Sequence, residues 1–308
     1  MQLSFLDPPP DRAAPPLPAS PTMLILSSSG GIDSSAAALH AIRRYPTAPR
    51  VLWHAYLDKM VYPEDDAVLV AQAAALDARL VVVQAVYRLT GEVTPTGANG
   101  TTLARIHTVR DGDEYFGPAR LADGEIGDLL TFARAARNGQ PPTSKIRWCT
   151  NYFKIRTCNA WLRANRALLG DAPVLVTGER HAESVGRSTL PETQWRWETR
   201  RNDILWWRPV VRESWQHCVA ACIDAGIPIH PAYGWQGETI ASMTDLARVE
   251  RGRPRLSCAV CIFAHQRHIA AAHDANPASV APLIVAVQHY EAETGYTWQQ
   301  RGALLPGT

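Results

Sequence analysis

The sequence predicts an α/β chain: a doubly wound, mostly parallel sheet with a small helical C-terminal subdomain. Three observations predict it. Short apolar runs alternate with helical patterns, the order in which parallel strands and their crossover helices occur. A glycine turn, Ser29-Gly30-Gly31-Ile32-Asp33-Ser34, stands between the first apolar run and the first helical pattern. At 308 residues and 46% hydrophobic, the chain is long enough for one large α/β domain with an appendage.

The elements follow in order. Residues 1–22 are proline-rich and lack the basic-then-apolar order of a signal peptide, so a flexible tail is expected there. A nucleotide-binding α/β domain is expected over 23–235. Within it, Met23–Leu26 reads as a strand, Ser35–Tyr45 as an alanine-rich helix and Val51–Leu57 as a strand. Asp65–Asp77 then reads as a helix and Leu80–Val86 as a strand. From about 90 to 142 the pattern dissolves into Gly, Pro and Asp around one helix at Asp128–Arg137, which marks an insertion or lid. A helix around Tyr152–Leu169 leads into a buried strand, Val174–Thr177, and another helix covers Trp215–Ala225. Residues 236–308 form the C-terminal subdomain: a short helix, an arginine run, two cysteines, then helices.

Bulk properties exclude some classes. The net charge of +2 gives no global field announcing nucleic acid. The only lysines are Lys59, Lys145 and Lys154, so arginine-rich patches partly reflect a compositional bias. No apolar run approaches the roughly 20 residues of a membrane span, so a cytoplasmic protein with no membrane partner is expected. Six cysteines in such a chain point to metal or redox chemistry rather than a disulfide framework.

The glycine turn carries the chemistry. A strand emptying through glycines into a helix aims backbone N–H groups and the positive helix end at one spot, which suits a phosphate. Glycine lets the backbone approach the anion, and serine hydroxyls add donors. Asp33 belongs beside phosphates only if a cation such as Mg²⁺ is shared between them. The turn lacks the Gly-Lys-Ser/Thr ending of a Walker A loop. It resembles the PP-loop, SGGxDS, of the ATP pyrophosphatases, which split ATP between the α and β phosphates. The resemblance implies ATP and Mg²⁺ as ligands. It puts Ser27, Ser29, Gly30, Gly31, Asp33 and Ser34 around the nucleotide, with Asp33 also catalytic.

The second strand ends at His54-Ala55-Tyr56-Leu57-Asp58. A carboxylate at a strand's carboxyl end near a phosphate loop suits a ribose hydroxyl or a metal, and Asp58 is the candidate. Glu64 and Asp65 suit the first turn of the following helix. Gly178-Glu179-Arg180-His181-Ala182-Glu183-Ser184-Val185-Gly186-Arg187 follows the strand Val174–Thr177, and two arginines there can fork onto phosphate oxygens.

This segment is similar to the G-x-R-x-x-E-S-x-x-R stretch of the phosphoadenosine phosphosulfate (PAPS) reductase family. Trp207-Arg208-Pro209-Val210, Gly226 to Tyr233 and Cys258-Ala259-Val260-Cys261-Ile262-Phe263 resemble later segments of that family in the same order. Arg147-Trp148-Cys149-Thr150, with Lys154, resembles the branch that includes the DNA phosphorothioation protein DndC. Together the resemblance spans roughly residues 23 to 265. It implies a nucleotide site that includes Gly178 and Glu183, with Arg180, Arg187 and Lys154 among the catalytic groups.

Cys258 and Cys261 have the spacing that places two thiolates on one metal or cluster, and Cys149 is the natural third ligand. Cys158 is a doubtful fourth: on one helix it stands about 13.5 Å and half a rotation from Cys149. Three cysteines suit an iron–sulfur cluster (4Fe-4S) with one open iron. Zinc would need Cys158 or a histidine such as His265, and free thiols are the third possibility. Cys218 and Cys222, one turn apart in an apolar helix, read as small buried hydrophobes.

Lys145, Arg147 and Lys154 bracket Cys149, and a compact ammonium can neutralise a pyrophosphate leaving group or simply solvate a helix face. Arg248, Arg251, Arg253 and Arg255 precede the C-x-x-C pair. Arg196, Arg200, Arg201 and Arg208 alternate with tryptophans. Arginine beside aromatics suits a nucleic-acid backbone and its bases.

The resemblance implies an ATP pyrophosphatase that adenylylates an acceptor for sulfur transfer, with the DNA backbone as acceptor. Its partners are then DNA, a cysteine-desulfurase-type sulfur donor and further modification-system subunits. The alternatives are a sulfonucleotide reductase, a tRNA-thiolation-type enzyme, and a low-turnover nucleotide-binding subunit. The intact SGGxDS loop, and the lack of any cysteine after Cys261, count against the reductase.

Overall fold

The computed structural model describes residues 14–57, 60, 65–93, 99–109, 121, 123–143, 145–196, 204–233, 258, 260–262, 266–275 and 277–298. Strand β1 (Met23–Ser28) lies inside the sheet, with Leu24 and Ile25 wholly buried on its opposite faces. Burial on both faces is why it reads as an unbroken apolar run. It pairs in parallel with β2 (Arg50–Tyr56) on one side and β6 (Pro173–Val176) on the other. β3 (Arg79–Val93) continues in parallel beyond β2, and β8 (Leu205–Trp207) beyond β6. Antiparallel strands complete the sheet: β4 (Asn99–Val109) and β5 (Glu125–Ile126) against β3, and β7 (Thr193–Trp195) against β8. The order is β4-β3-β2-β1-β6-β8-β7, with β5 off this path. The winding therefore reverses between β1 and β6.

The helices cover both faces, as the doubly wound class requires. α1 (Ile32–Arg44), α2 (Asp65–Ala75) and α7 (Trp215–Asp224) bury Ala37, Leu69 and Val219 against Leu24, Leu26, Leu52 and Val176. On the other face, α5 (Arg156–Ala164) and α6 (Arg166–Leu169) set Cys158, Trp161, Leu162 and Leu169 against Ile25, Val51, Val81 and Leu175.

A third core lies past the carboxyl end of β2, against the part of β3 beyond that pairing. It holds Leu57 and Met60, which follow β2, and Tyr87, which runs beyond the β2 pairing that ends at Tyr56↔Gln84. α3 (Leu129–Ala136) and the segment from α4 (Trp148–Thr150) through a π-helical turn (Asn151–Ile155) supply Phe132, Trp148 and Phe153. The two C-terminal helices, Gln266–Ala275 and Pro277–Thr294, complete it with Ile269, Val280, Ile284 and Tyr290. The expected C-terminal subdomain thus shares a core with the expected insertion.

Two local readings change. The third strand extends well past Val86 and pairs with β4, inside the stretch read as irregular. Thr101, Thr102, Ile106, Thr108 and Val109 are β-branched and favour a strand despite the flanking glycines. From Ala14 the proline-rich segment lies on the domain: Leu17 packs on the first core, Thr193 donates to the Pro15 carbonyl and Tyr45 to that of Pro18, each at 2.7 Å. Among the described residues no helix is long and apolar enough to cross a membrane.

Candidate functional site

The switch point between β1 and β6 brings the two strongest motifs together. In an open α/β sheet, ligands bind in the crevice outside the carboxyl ends of the strands at such a reversal. The Ser29–Gly31 turn leaves β1 there, and Thr177–Arg180 leaves β6 beside it.

The turn is built tightly. Gly30 has φ +74°, a conformation glycine adopts without strain. Its N–H donates to Ser28 Oγ at 3.0 Å, and the Ser29 N–H to Ser34 Oγ at 3.4 Å. Ser34 Oγ in turn donates to the Gly31 carbonyl at 2.8 Å. The Ile32 N–H, at the mouth of α1, donates to the Tyr233 hydroxyl at 3.2 Å. Three amides of the turn and helix mouth are therefore held by hydroxyl groups. Ser27, one residue before the strand end, is half-buried, and Ser29 is exposed. Buried Gln72, from α2, ties the turn down: its amide nitrogen donates to the Gly30 carbonyl at 3.1 Å and to the Pro228 carbonyl at 2.9 Å.

The second loop presses onto the first. A Cβ on Gly178 would lie 2.3 Å from the Asp33 carbonyl carbon and 2.4 Å from the Ser34 nitrogen, so only glycine fits. Arg180 Nε then donates to Asp33 Oδ1 at 2.8 Å. Burial by itself would lower this guanidinium; the bond and charge of Asp33 outweigh burial and hold it above its ordinary value. Glu183 accepts from the Arg180 N–H at 3.0 Å and from the Arg187 guanidinium. Asp33, Gly178, Arg180, Glu183 and Arg187 thus form one linked group. Gln72 and Tyr233 join it without having been singled out as site residues.

The cysteines separate. Cys149, Cys258 and Cys261 all pack against the third core. Burial, then the neighbouring Cys258, pushes the Cys149 thiol up; Lys154 opposes this. Cys158 does not belong with them: it is buried on the far face of the sheet with Trp161 and Ile25. It packs in a different core from Cys149, so the doubtful fourth ligand is not brought to the other three. Among the described residues no three His, Cys, Asp or Glu side chains form a group that could hold a metal. Cys218 and Cys222 are buried beneath the turn, as expected of small hydrophobes, and Cys222 Sγ lies 3.7 Å from the Ile32 carbonyl.

Lys154 is exposed on the π-helical turn and makes no hydrogen bond or ion pair to the glycine turn among the described residues. Asp58, Glu64, Arg200, Arg201, His265 and the arginines at 248–255 lie outside the described residues. Arg196 and Arg208 are not a nucleic-acid surface. Arg208 is wholly buried, donating to Glu179 at 2.5 Å and stacking 3.9 Å over the Trp206 ring. Arg196 donates to Asn159 at 2.8 Å and lies 5.0 Å from the same ring. Both complete the wall behind Thr177–Glu179.

No family model and no curated protein sequence matches this chain. Among solved structures it is similar to the phosphoadenylyl-sulfate (PAPS) reductase from Candida auris, determined as a phosphate complex. The identity is 15% and the TM-score 0.37, over 67% of this chain and 74% of that one. At that distance no residue of the reductase is transferred to this chain.

Proposed function

We propose that this protein is a nucleotide-dependent enzyme of the PAPS reductase-like group that binds ATP at the β1–β6 switch and cleaves it between the α and β phosphates. More particularly, it adenylylates an oxygen of the DNA backbone for replacement by sulfur. The observation that carries the reading is the meeting of SGGIDS with Gly178–Arg180: a turn of backbone amides, an acidic residue and a buried arginine at one carboxyl-end crevice.

Phosphoryl oxygens would take the amides of Ser29, Gly30 and Ile32, displacing the hydroxyls of Ser34, Ser28 and Tyr233. The hydroxyls of Ser28 and Ser34 can turn and donate in their place. Asp33 would hold Mg²⁺ shared with the phosphates, and Arg180, drawn from the Asp33 pair, would face the charge that grows on the departing pyrophosphate. The acceptor oxygen attacks the α-phosphorus, and the bond to the β-phosphate oxygen breaks with its electron pair leaving on pyrophosphate. A thiol reductant releases hydrosulfide from the persulfide of a desulfurase-type partner, itself becoming a disulfide; the hydrosulfide attacks the adenylylated DNA phosphorus, and AMP leaves with the electron pair of the broken P–O bond.

The test is pyrophosphate release from ATP by the purified chain with duplex DNA and sulfide. Asp33→Asn is expected to lower it severely. Sulfite release from PAPS with thioredoxin, and no ATP cleavage, would instead identify a sulfonucleotide reductase. Iron, zinc and sulfide analysis after anaerobic purification decides whether Cys149, Cys258 and Cys261 carry a metal centre or act as thiols.

A further inference from the structure

Charge is distributed along the fold in a way the nucleotide site does not use. Of the 31 Lys and Arg, eight lie in residues 129–170; of the 29 Asp and Glu, none does. The rest of the chain keeps 23 cations against 29 carboxylates, a net −6, although the whole is +2.

Part of that positive charge is used within the fold. Arg134 donates to Glu293 at 2.8 Å and lies 5.3 Å from the Tyr290 ring centre, and Arg137 is half-buried with its Nε fully covered. The side chains of Lys145, Arg147, Lys154, Arg156 and Arg163 are instead exposed. Among the described residues Lys145, Lys154, Arg156 and Arg163 pair with no carboxylate. Arg156 and Arg163 are two turns apart on one side of α5, about 10 Å along its axis. The other side of that helix, with Cys158, Trp161 and Leu162, is packed on the sheet. Arg156 stacks 4.2 Å over the Tyr152 ring, which holds its guanidinium in a defined direction. Lys145, Arg147 and Lys154 flank Trp148 and Phe153, which enter the third core. In chain order the cations run from the approach to α4, through the π-helical turn, along α5.

We infer that this strip is the docking surface for the phosphate backbone of duplex DNA. A cationic run free of carboxylates, on a protein otherwise net negative, is complementary to a polyanion of regular charge. Duplex DNA carries one charge per about 1.7 Å of axis, so a strip of about 10 Å meets several phosphates at once. Such contacts fix position and register without reading sequence. The choice of DNA rests on the function proposed above; the strip itself rests on the charge distribution.

The experiment is fluorescence anisotropy with a labelled duplex of about 20 bp, titrated between roughly 50 and 200 mM salt. The wild type is expected to bind with a steep salt dependence. The triple variant K145E/R156E/R163E, at three exposed positions outside the nucleotide site, should lower affinity at least about tenfold and flatten the log–log slope by about 3 units. The R156K/R163K variant should keep wild-type binding, which separates lost charge from lost fold. Unchanged affinity and slope in the triple variant would overturn the strip, as would wild-type preference for single-stranded RNA over the duplex. ATP binding without DNA, read as the rise in melting temperature on ATP addition, reports on the nucleotide site alone. If it fails while the strip binds duplex, only the catalytic reading falls; if it persists while the triple variant binds normally, only the strip falls.

Discussion

Gly178 lies against the Asp33–Ser34 peptide with no room for a side chain: an added Cβ would sit 2.3 Å from the Asp33 carbonyl oxygen. The obstacle is backbone at the first turn of α1, which cannot swing away as a flexible side chain would. Gly178→Ala must therefore separate the two loops. Expected are a loss of about 1–3 kcal/mol in stability, the range for overpacking, and at least a tenfold fall in kcat/KM for ATP. Thermal melting and pyrophosphate release check both. Wild-type values in this variant would mean that the loops are not held as described.

The Arg180–Asp33 pair should behave as one unit. Arg180→Lys keeps a cation but loses the planar fork, so it should recover only part of the activity that Arg180→Ala removes. Asp33→Asn and Arg180→Ala should be strongly non-additive, the double variant turning over ATP no more slowly than Asp33→Asn alone. Additive losses would show that the two residues act separately.

How much was legible follows from how locally each feature is encoded. β1, β2 and β6 were readable because strands buried on both faces are continuous apolar runs. The glycine turn between β1 and α1 was readable because its residues are contiguous. The β3–β4 hairpin was hidden because glycine, proline and polar residues surround its β-branched positions. Gln72 could not be found: a glutamine in an apolar helix gives no sign that it will bridge Gly30 and Pro228, 42 and 156 positions away. Arg208 misled because alternation with tryptophan resembles an exposed nucleic-acid surface. Its cover comes from Glu179 and Gln194, on other elements. The π-helical turn between Cys149 and Cys158 was not readable, since no residue pattern in Asn151–Ile155 marks it.

The Tyr233 hydroxyl, which accepts from the Ile32 N–H at the mouth of α1, is buried with its ring. Tyr233→Phe should cost about 1 kcal/mol, the net value of one hydrogen bond. If phosphate takes that amide, the cost falls on the nucleotide-free protein. The melting temperature should then rise more on ATP addition in the variant than in the wild type. An equal rise in both would exclude Ile32 from the phosphate cradle.

Alkaline pH should weaken the packing beneath the turn. Burial raises the Cys222 thiol from 9.0 to about 12, with the negative charge of Asp33 adding to it, and burial also raises the Cys218 thiol well above the ordinary range. Below pH 9.0 both folded and unfolded chains keep these thiols protonated, and their contribution to stability is fully present. Above that value the unfolded chain ionises first and binds fewer protons than the folded one, so stability falls as pH rises toward the folded values. Between about pH 8 and 10.5 the melting temperature should drop less in C218A/C222A than in the wild type, whatever cavity cost the alanines add at pH 8. Parallel curves across that interval would mean that the two thiols ionise as readily in the fold as out of it, and that α7 does not shield the underside of α1 from solvent.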